Sequence, residues 1–220
     1  MTTEGWNLEA LRNFVDGGAG EKGRPLETIG SIDRAIQIFH YHLYEAKDAN
    51  DRITPNTPSE AFDLVLTPTD RIEPLHREKI TIQANAQSAA QNARSIHDIF
   101  AQLVNCLVLQ DAIEIHLCDI SRVTNKLVSC PLKEHLEGVL SSDEYQYINA
   151  MVNTQKHRNL VPFGAQISME NGEAGVQFQS FEYRGNVYPK LWAEDVLKHA
   201  LWVKNSAVIA GIKLNEHVGA

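Results

Sequence analysis

The chain has 220 residues, enough for one sizeable domain with a well-buried core. Hydrophobic residues make up 43% and charged residues 22%, the balance of an ordinary soluble globular protein. A net charge of −8 and a pI near 5.6 argue against sequence-blind binding of nucleic acid over a broad Lys/Arg surface, and leave room only for a small local basic site.

Cys106, Cys118 and Cys130 are odd in number and widely spaced, so neither a disulfide framework nor a zinc site is indicated. Reduced thiols in a cytoplasmic protein are the simplest reading. The opening MTTEGWNLEALRNF has no basic region followed by an apolar one, so no secretory signal is expected. No run approaches the roughly 18 apolar residues of a membrane span.

Residues 4–16 predict a short amphipathic helix carrying Trp6, Leu8, Leu11, Phe14 and Val15. The glycines from Gly17 to Gly23 then read as a linker, which makes 1–30 an N-terminal segment ahead of a single helical-bundle domain over 31–220. Ile32, Ala35, Ile36, Phe39, Leu43 and Ala46 recur at helical steps, with Ser31 as the expected N-cap. The four prolines of residues 51–75 read as a long connection with one short turn at Ser59–Leu66. A long helix is expected over 76–110, a third helix or bent continuation over 111–128, and a short one over 132–140. Ser141, Ser142 and Asp143 cap the next helix, which is expected to run towards Val161. After Pro162 the period shortens, and 165–189 predicts a β-hairpin or meander before a last helix over 191–215.

Two groups of side chains carry candidate chemistry. At about 100° per residue, Tyr145, Ile148, Met151 and Val152 form an apolar arc from which Arg158 is expected to project. Asn149, Asn153 and His157 line its edge. In the functional reading Arg158 holds a phosphate or carboxylate and His157 moves a proton, with no metal or cofactor required. In the bland reading Arg158 caps the helix end and pairs with a structural acid. The second group is Arg94, His97, Asp98, Gln102 and Asn105, opposite an apolar face. An i, i+4 pair between Arg94 and Asp98 on a solvated surface is the plain reading. The sharp one has this face meet the later helix, with Asp98 orienting His157 or pairing with Arg158. The aromatic residues Phe178, Phe181, Tyr183 and Tyr188 are candidate base-stacking groups, read first as packing.

The helical order, the long second helix and the ending Asn153-x-x-Lys156-His157-Arg158 resemble the HEPN superfamily of nucleotide-binding helical bundles. The likeness extends to the helix carrying Arg94, His97, Asp98, Gln102 and Asn105. It implies a mainly α, up-and-down bundle, often homodimeric, with RNA, a nucleotide or a partner protein as ligand. It also implies a metal-independent ribonuclease of a bacterial stress or antiviral system, with His157 and Arg158 as the catalytic pair. Asn153 and Asp98 would support that pair, and Arg94, His97 and Asn149 would contribute to binding. The family's nuclease signature runs from Arg to His over four to six residues, whereas here His157 precedes Arg158; Arg71 and His76 make one literal match. A non-catalytic binding module and a structural homodimer therefore stand beside the enzyme reading.

Overall fold

Prolines and glycines punctuate a chain that is mostly helical. The computed structural model describes residues 5–20, 22–170 and 172–220. Glu4 of the expected first helix, Glu21 of the glycine-rich stretch and Asn171 of the expected strand turn lie outside the described residues. The described residues form α1 (Leu8–Gly17), α2 (Gly23–Ile53), α3 (Pro58–Leu66), α4 (Ile72–Leu107), α5 (Ile120–Lys126), α6 (Pro131–Ser141), α7 (Asp143–His157) and α8 (Ala193–Val218). Five short strands precede α8: β1 (Phe163–Ser168), β2 (Glu173–Phe178), β3 (Phe181–Tyr183), β4 (Asn186–Tyr188) and β5 (Leu191–Trp192). The fold is mainly α with a small antiparallel region before the last helix. Among the described residues no helix is long and apolar enough to cross a membrane.

Local chemistry moves several boundaries away from the sequence expectation. Helix α2 begins at Gly23 because Pro25 suits a first helical turn. Ser31 is not its cap: the hydroxyl donates back to the Glu27 carbonyl at 2.8 Å, one turn earlier. Helix α3 stands where a single short turn was expected at Ser59–Leu66 within the connection. Its N-cap Thr57 accepts from the Glu60 amide, Pro58 opens the first turn, and Ala61 and Leu64 are buried. Residues 111–128 do not continue α4. Gln110 and Asp111 take positive φ of 52° and 58°, and only a single turn at Ile115–Leu117 and the short α5 follow. The β region expected over 165–189 divides after Phe178, so that β2 and β3 join different sheets.

The chain divides into two compact units. The first comprises Met1–Ile38, Asn92–Gln146 and Trp202–Ala220. Its buried side chains include Leu11, Ile29, Ile32, Ile96, Phe100, Leu103, Leu136 and Leu214. Trp6 meets Phe100 edge-on with ring centroids 5.8 Å apart.

The second unit comprises Phe39–Gln91 and Tyr147–Leu201. Its buried side chains include Phe39, Leu64, Ile82, Ile148, Met151, Phe178 and Val196. Its three-stranded sheet has the order β1-β2-β5, with Phe163 opposite Phe178 and Gln177 opposite Trp192. Strands β3 and β4 make a separate hairpin with Phe181 opposite Tyr188. Arg184 and Gly185 form its two-residue turn, both at positive φ, which matches the twist of the flanking strands. The hairpin is seated on Tyr147 of α7. The Tyr147 ring meets Phe181 at 5.4 Å and Tyr188 at 6.1 Å, and Phe181 stacks on Tyr188 at 5.2 Å.

Candidate functional site

The end of α7 and the β3–β4 turn bring two guanidinium groups to one tyrosine. Helix α7 stops at His157, and the amides of Arg158 and Asn159 both donate to the Thr154 carbonyl. Arg158 therefore sits at the helix end, and the chain departs from the helical pattern at Asn159. Its side chain donates to the Glu182 carbonyl at 3.2 Å, and its guanidinium carbon stands 5.9 Å from the Tyr183 ring centroid. Arg184 approaches the same ring at 5.2 Å. Tyr183 is half-buried, whereas Lys156, His157, Arg158, Arg184 and Lys190 are exposed. Each exposed contact of this cation–π kind contributes about 0.5–1 kcal/mol. That is enough to orient a side chain and too little to occupy it against a phosphate.

This corrects the expectation that Arg158 points into the core. The apolar arc of α7 continues through Tyr147, Ile148, Met151 and Val152 to Thr154, all buried, and the helix ends before the next turn. Extending the 3.6-residue period one residue past the helix misplaced Arg158. Asn153 donates to the carbonyl of Asn149 at 2.7 Å and to its side-chain oxygen at 3.1 Å. The two asparagines thus engage each other along the half-buried edge. His157 makes no hydrogen bond or ion pair among the described residues.

The second candidate group lies in the first unit, and its polar face is not the solvated one expected. His97 is 0% exposed and Asn105 1% exposed, with Ala93 and Ala101 buried beside them. The Val203 carbonyl only accepts, so Nε2 of His97 carries the proton and donates to it at 2.9 Å. The Ser206 hydroxyl lies 3.2 Å from the same nitrogen and itself donates to Val203. Nδ1 is left as a buried acceptor with no partner among the described residues. Burial lowers the His97 pKa to about 4, with Arg94 and His135 adding repulsion and the Val203 bond opposing it.

Arg94 pairs with Asp98 at 2.5 Å, as the spacing indicated, but its side chain is only 18% exposed. Tyr145 lies against His97, ring centroids 5.4 Å apart, and burial with the nearby Asp98 and Asp119 raises its pKa to about 12. Gln102 donates to the carbonyls of Ile115 and Cys118, and Asn105 holds both backbone groups of Ile113. These polar side chains build the wall of the unit by satisfying backbone and ion-pair partners.

Arg94, His97 and Asp98 belong to the first unit, and Asn149, Asn153, His157 and Arg158 to the second. Side-chain contacts of Arg158 among the described residues are with Glu182 and Tyr183. Arg71 of the literal Arg-x4-His match precedes α4 and pairs with Asp63 at 3.4 Å, while His76 is exposed. Among the described residues no three His, Cys, Asp or Glu side chains gather as a metal-binding group.

Sequence reasoning named Tyr183 as one of four aromatics and passed over Arg184. The available signal was the Tyr183-Arg184-Gly185 turn. A two-residue turn with glycine second fixes where the preceding side chains emerge. No protein-family model matches the chain, and no curated protein or solved structure matches it either.

Proposed function

We propose that the protein is a HEPN-like helical protein that binds single-stranded RNA or a nucleotide through Arg158, Tyr183 and Arg184. One observation carries this reading: two exposed guanidinium groups flank one half-exposed tyrosine ring on a chain whose net charge is −8. Guanidinium groups grip phosphate with paired N–H donors, and a tyrosine face stacks a base regardless of its identity. Lys156 and Lys190 are exposed in the same two stretches of chain and add positive charge. Binding is favoured over cleavage because His157 has no partner among the described residues to fix its tautomer or orientation.

The test is fluorescence polarisation with a labelled single-stranded RNA in EDTA, at low and moderate salt. Wild type is expected to bind, with affinity falling as salt rises. Replacing Arg158 or Arg184 by Ala is expected to weaken binding severalfold and to lower the salt slope by roughly 0.7 per lost phosphate contact. Absence of binding by wild type, or equal binding by both variants, overturns the proposal. Gel analysis of the same mixtures reads cleavage, and a cleavage activity lost in His157→Ala selects the metal-independent ribonuclease instead.

A further inference from the structure

The second unit holds a cavity that uses none of the β3–β4 hairpin residues. Helix α3, the turn before it and the β1–β2 ribbon line about 360 Å³. That is the liquid volume of roughly twelve waters at about 30 Å³ each, and it falls in the range of about 300–1,000 Å³ typical of small-molecule pockets. Ala61 and Ala174 line it with methyl groups only, which keeps it wide. Pro55 and Pro58 fix the backbone of the wall before α3, where the Thr57 hydroxyl caps the helix by accepting from the Glu60 amide. Phe62 and Met169 also line the cavity, 53% and 85% exposed, so two large apolar side chains stand in water at its rim. Among the described residues no Lys, Arg, His, Asp or Glu side chain lines it. The Glu60 carboxylate accepts from the Asn56 backbone amide at 2.7 Å. The Asn56 side-chain amide, on the lining, makes no hydrogen bond among the described residues.

We infer that this cavity binds a small neutral aromatic molecule carrying one hydroxyl or N–H group, its ring against Phe62 and Met169 and its polar group at Asn56. The lining selects the ligand class. A phenylalanine ring gains more from a second aromatic ring than from a saturated one of the same size, and a thioether sulfur adds a favourable contact with the ring edge. Met169 is unbranched and flexible, so it can close over a ring of either one or two cycles. A charged ligand would lose its hydration here and meet no opposite charge. The Asn56 amide offers both a donor and an acceptor, which satisfies a hydroxyl in either sense.

The test is calorimetry on the full chain with three probes: 4-ethylphenol, 4-ethylcyclohexanol and 4-ethylbenzoate. The first two share size and hydroxyl and differ in the ring, while the third keeps the ring and adds a negative charge. 4-Ethylphenol is expected to bind saturably at one site per chain, roughly tenfold more tightly than either of the others. Combining Phe62→Leu with Met169→Leu keeps apolar bulk at two exposed positions, and is expected to level the phenol and cyclohexanol affinities. Ala174→Phe fills the cavity and is expected to abolish binding. Thermal melting of each variant reports folding separately, and the leucine pair decides the matter if Ala174→Phe does not fold. 4-Ethylphenol that fails to saturate, an equal affinity for the cyclohexanol or the benzoate, a preference that survives the leucine pair, or binding that survives a folded Ala174→Phe overturns the inference.

Discussion

The indole of Trp6 occupies the space where residue 211 would carry a β-carbon. A Cβ built on Gly211 would lie 2.1 Å from Trp6 Cδ2 and 2.3 Å from Cε2. The ring cannot easily withdraw, because its Nε1 donates to Asn215 at 3.0 Å and Asn215 in turn donates to the Asn7 carbonyl at 2.8 Å. Gly211→Ala is therefore expected to destabilise the protein. The helix-propensity gain is about 1 kcal/mol, and the overpacking cost is about 1–3 kcal/mol for a tightly filled site. Gly138→Ala is the control, since nothing lies within 4 Å of an added Cβ on that exposed position of α6. It is expected to stabilise by up to about 1 kcal/mol. Urea unfolding of both variants checks the opposite signs; two shifts in the same direction refute the account.

That contact also shows where sequence reading stops. Periodicity located the long helices because each needs an apolar stripe several turns long, and Ile32, Phe39, Ile96 and Phe100 supply it. The change to period two after Pro162 located the strands. What periodicity could not supply was which polar faces are covered. Arg94 and Asp98 were placed as an ion pair by their spacing, yet the burial of His97 and Asn105 depends on α8 and on residues 113–118, far away in sequence. Arg158 failed for a local reason, since a helix ending one residue early changes where every later side chain points.

Burial of His97 predicts acid sensitivity. Its ordinary pKa of 6.5 applies when unfolded, and the folded value is about 4. As pH falls below 6.5 the unfolded chain takes up a proton that the folded one resists. Stability is thus lost between about pH 6.5 and 4, by on the order of 3 kcal/mol from this group, and levels off below. The charged and titratable groups acting on it, Arg94 and His135, both oppose protonation. Urea midpoints followed across that interval should show the loss in wild type. His97→Gln keeps a side-chain donor for the Val203 carbonyl and should flatten the curve; an unchanged slope removes His97 as the cause.

The seating of the hairpin on Tyr147 links packing to the proposed binding. Phe181 is 9% exposed, meets Tyr147 edge-on and stacks on Tyr188. Phe181→Ala is expected to cost about 3–5 kcal/mol if the whole unit feels it, and less if only the hairpin opens. Hydrogen exchange distinguishes the two: faster exchange confined to 181–188 means local opening. In either case Arg158 loses its Glu182 carbonyl partner and RNA affinity should fall. Unchanged affinity would show that the hairpin does not position the two arginines.

Asn105 predicts a polar effect on stability that acts through the backbone of Ile113. It replaces a strand partner for Ile113, donating to that carbonyl at 2.8 Å and accepting from that amide at 3.1 Å. The same turn places Gln110 and Asp111 consecutively in the left-handed region, with Asp111 tied to Arg24. Left-handed backbone costs about 1–2 kcal/mol for an ordinary residue, so the Asn105 amide offsets strain as well as satisfying Ile113. Asn105→Ala is expected to cost about 2 kcal/mol or more, because two backbone groups lose partners. Asn105→Asp keeps the acceptor, loses the donor and should fall between. Gln110→Gly relieves left-handed strain and is expected to stabilise by up to about 1 kcal/mol after its own entropy cost. Combining Asn105→Ala with Gln110→Gly should recover part of the loss. Denaturant midpoints at constant m-value measure all four variants, and strict additivity in the double variant would show that the amide and the turn act independently.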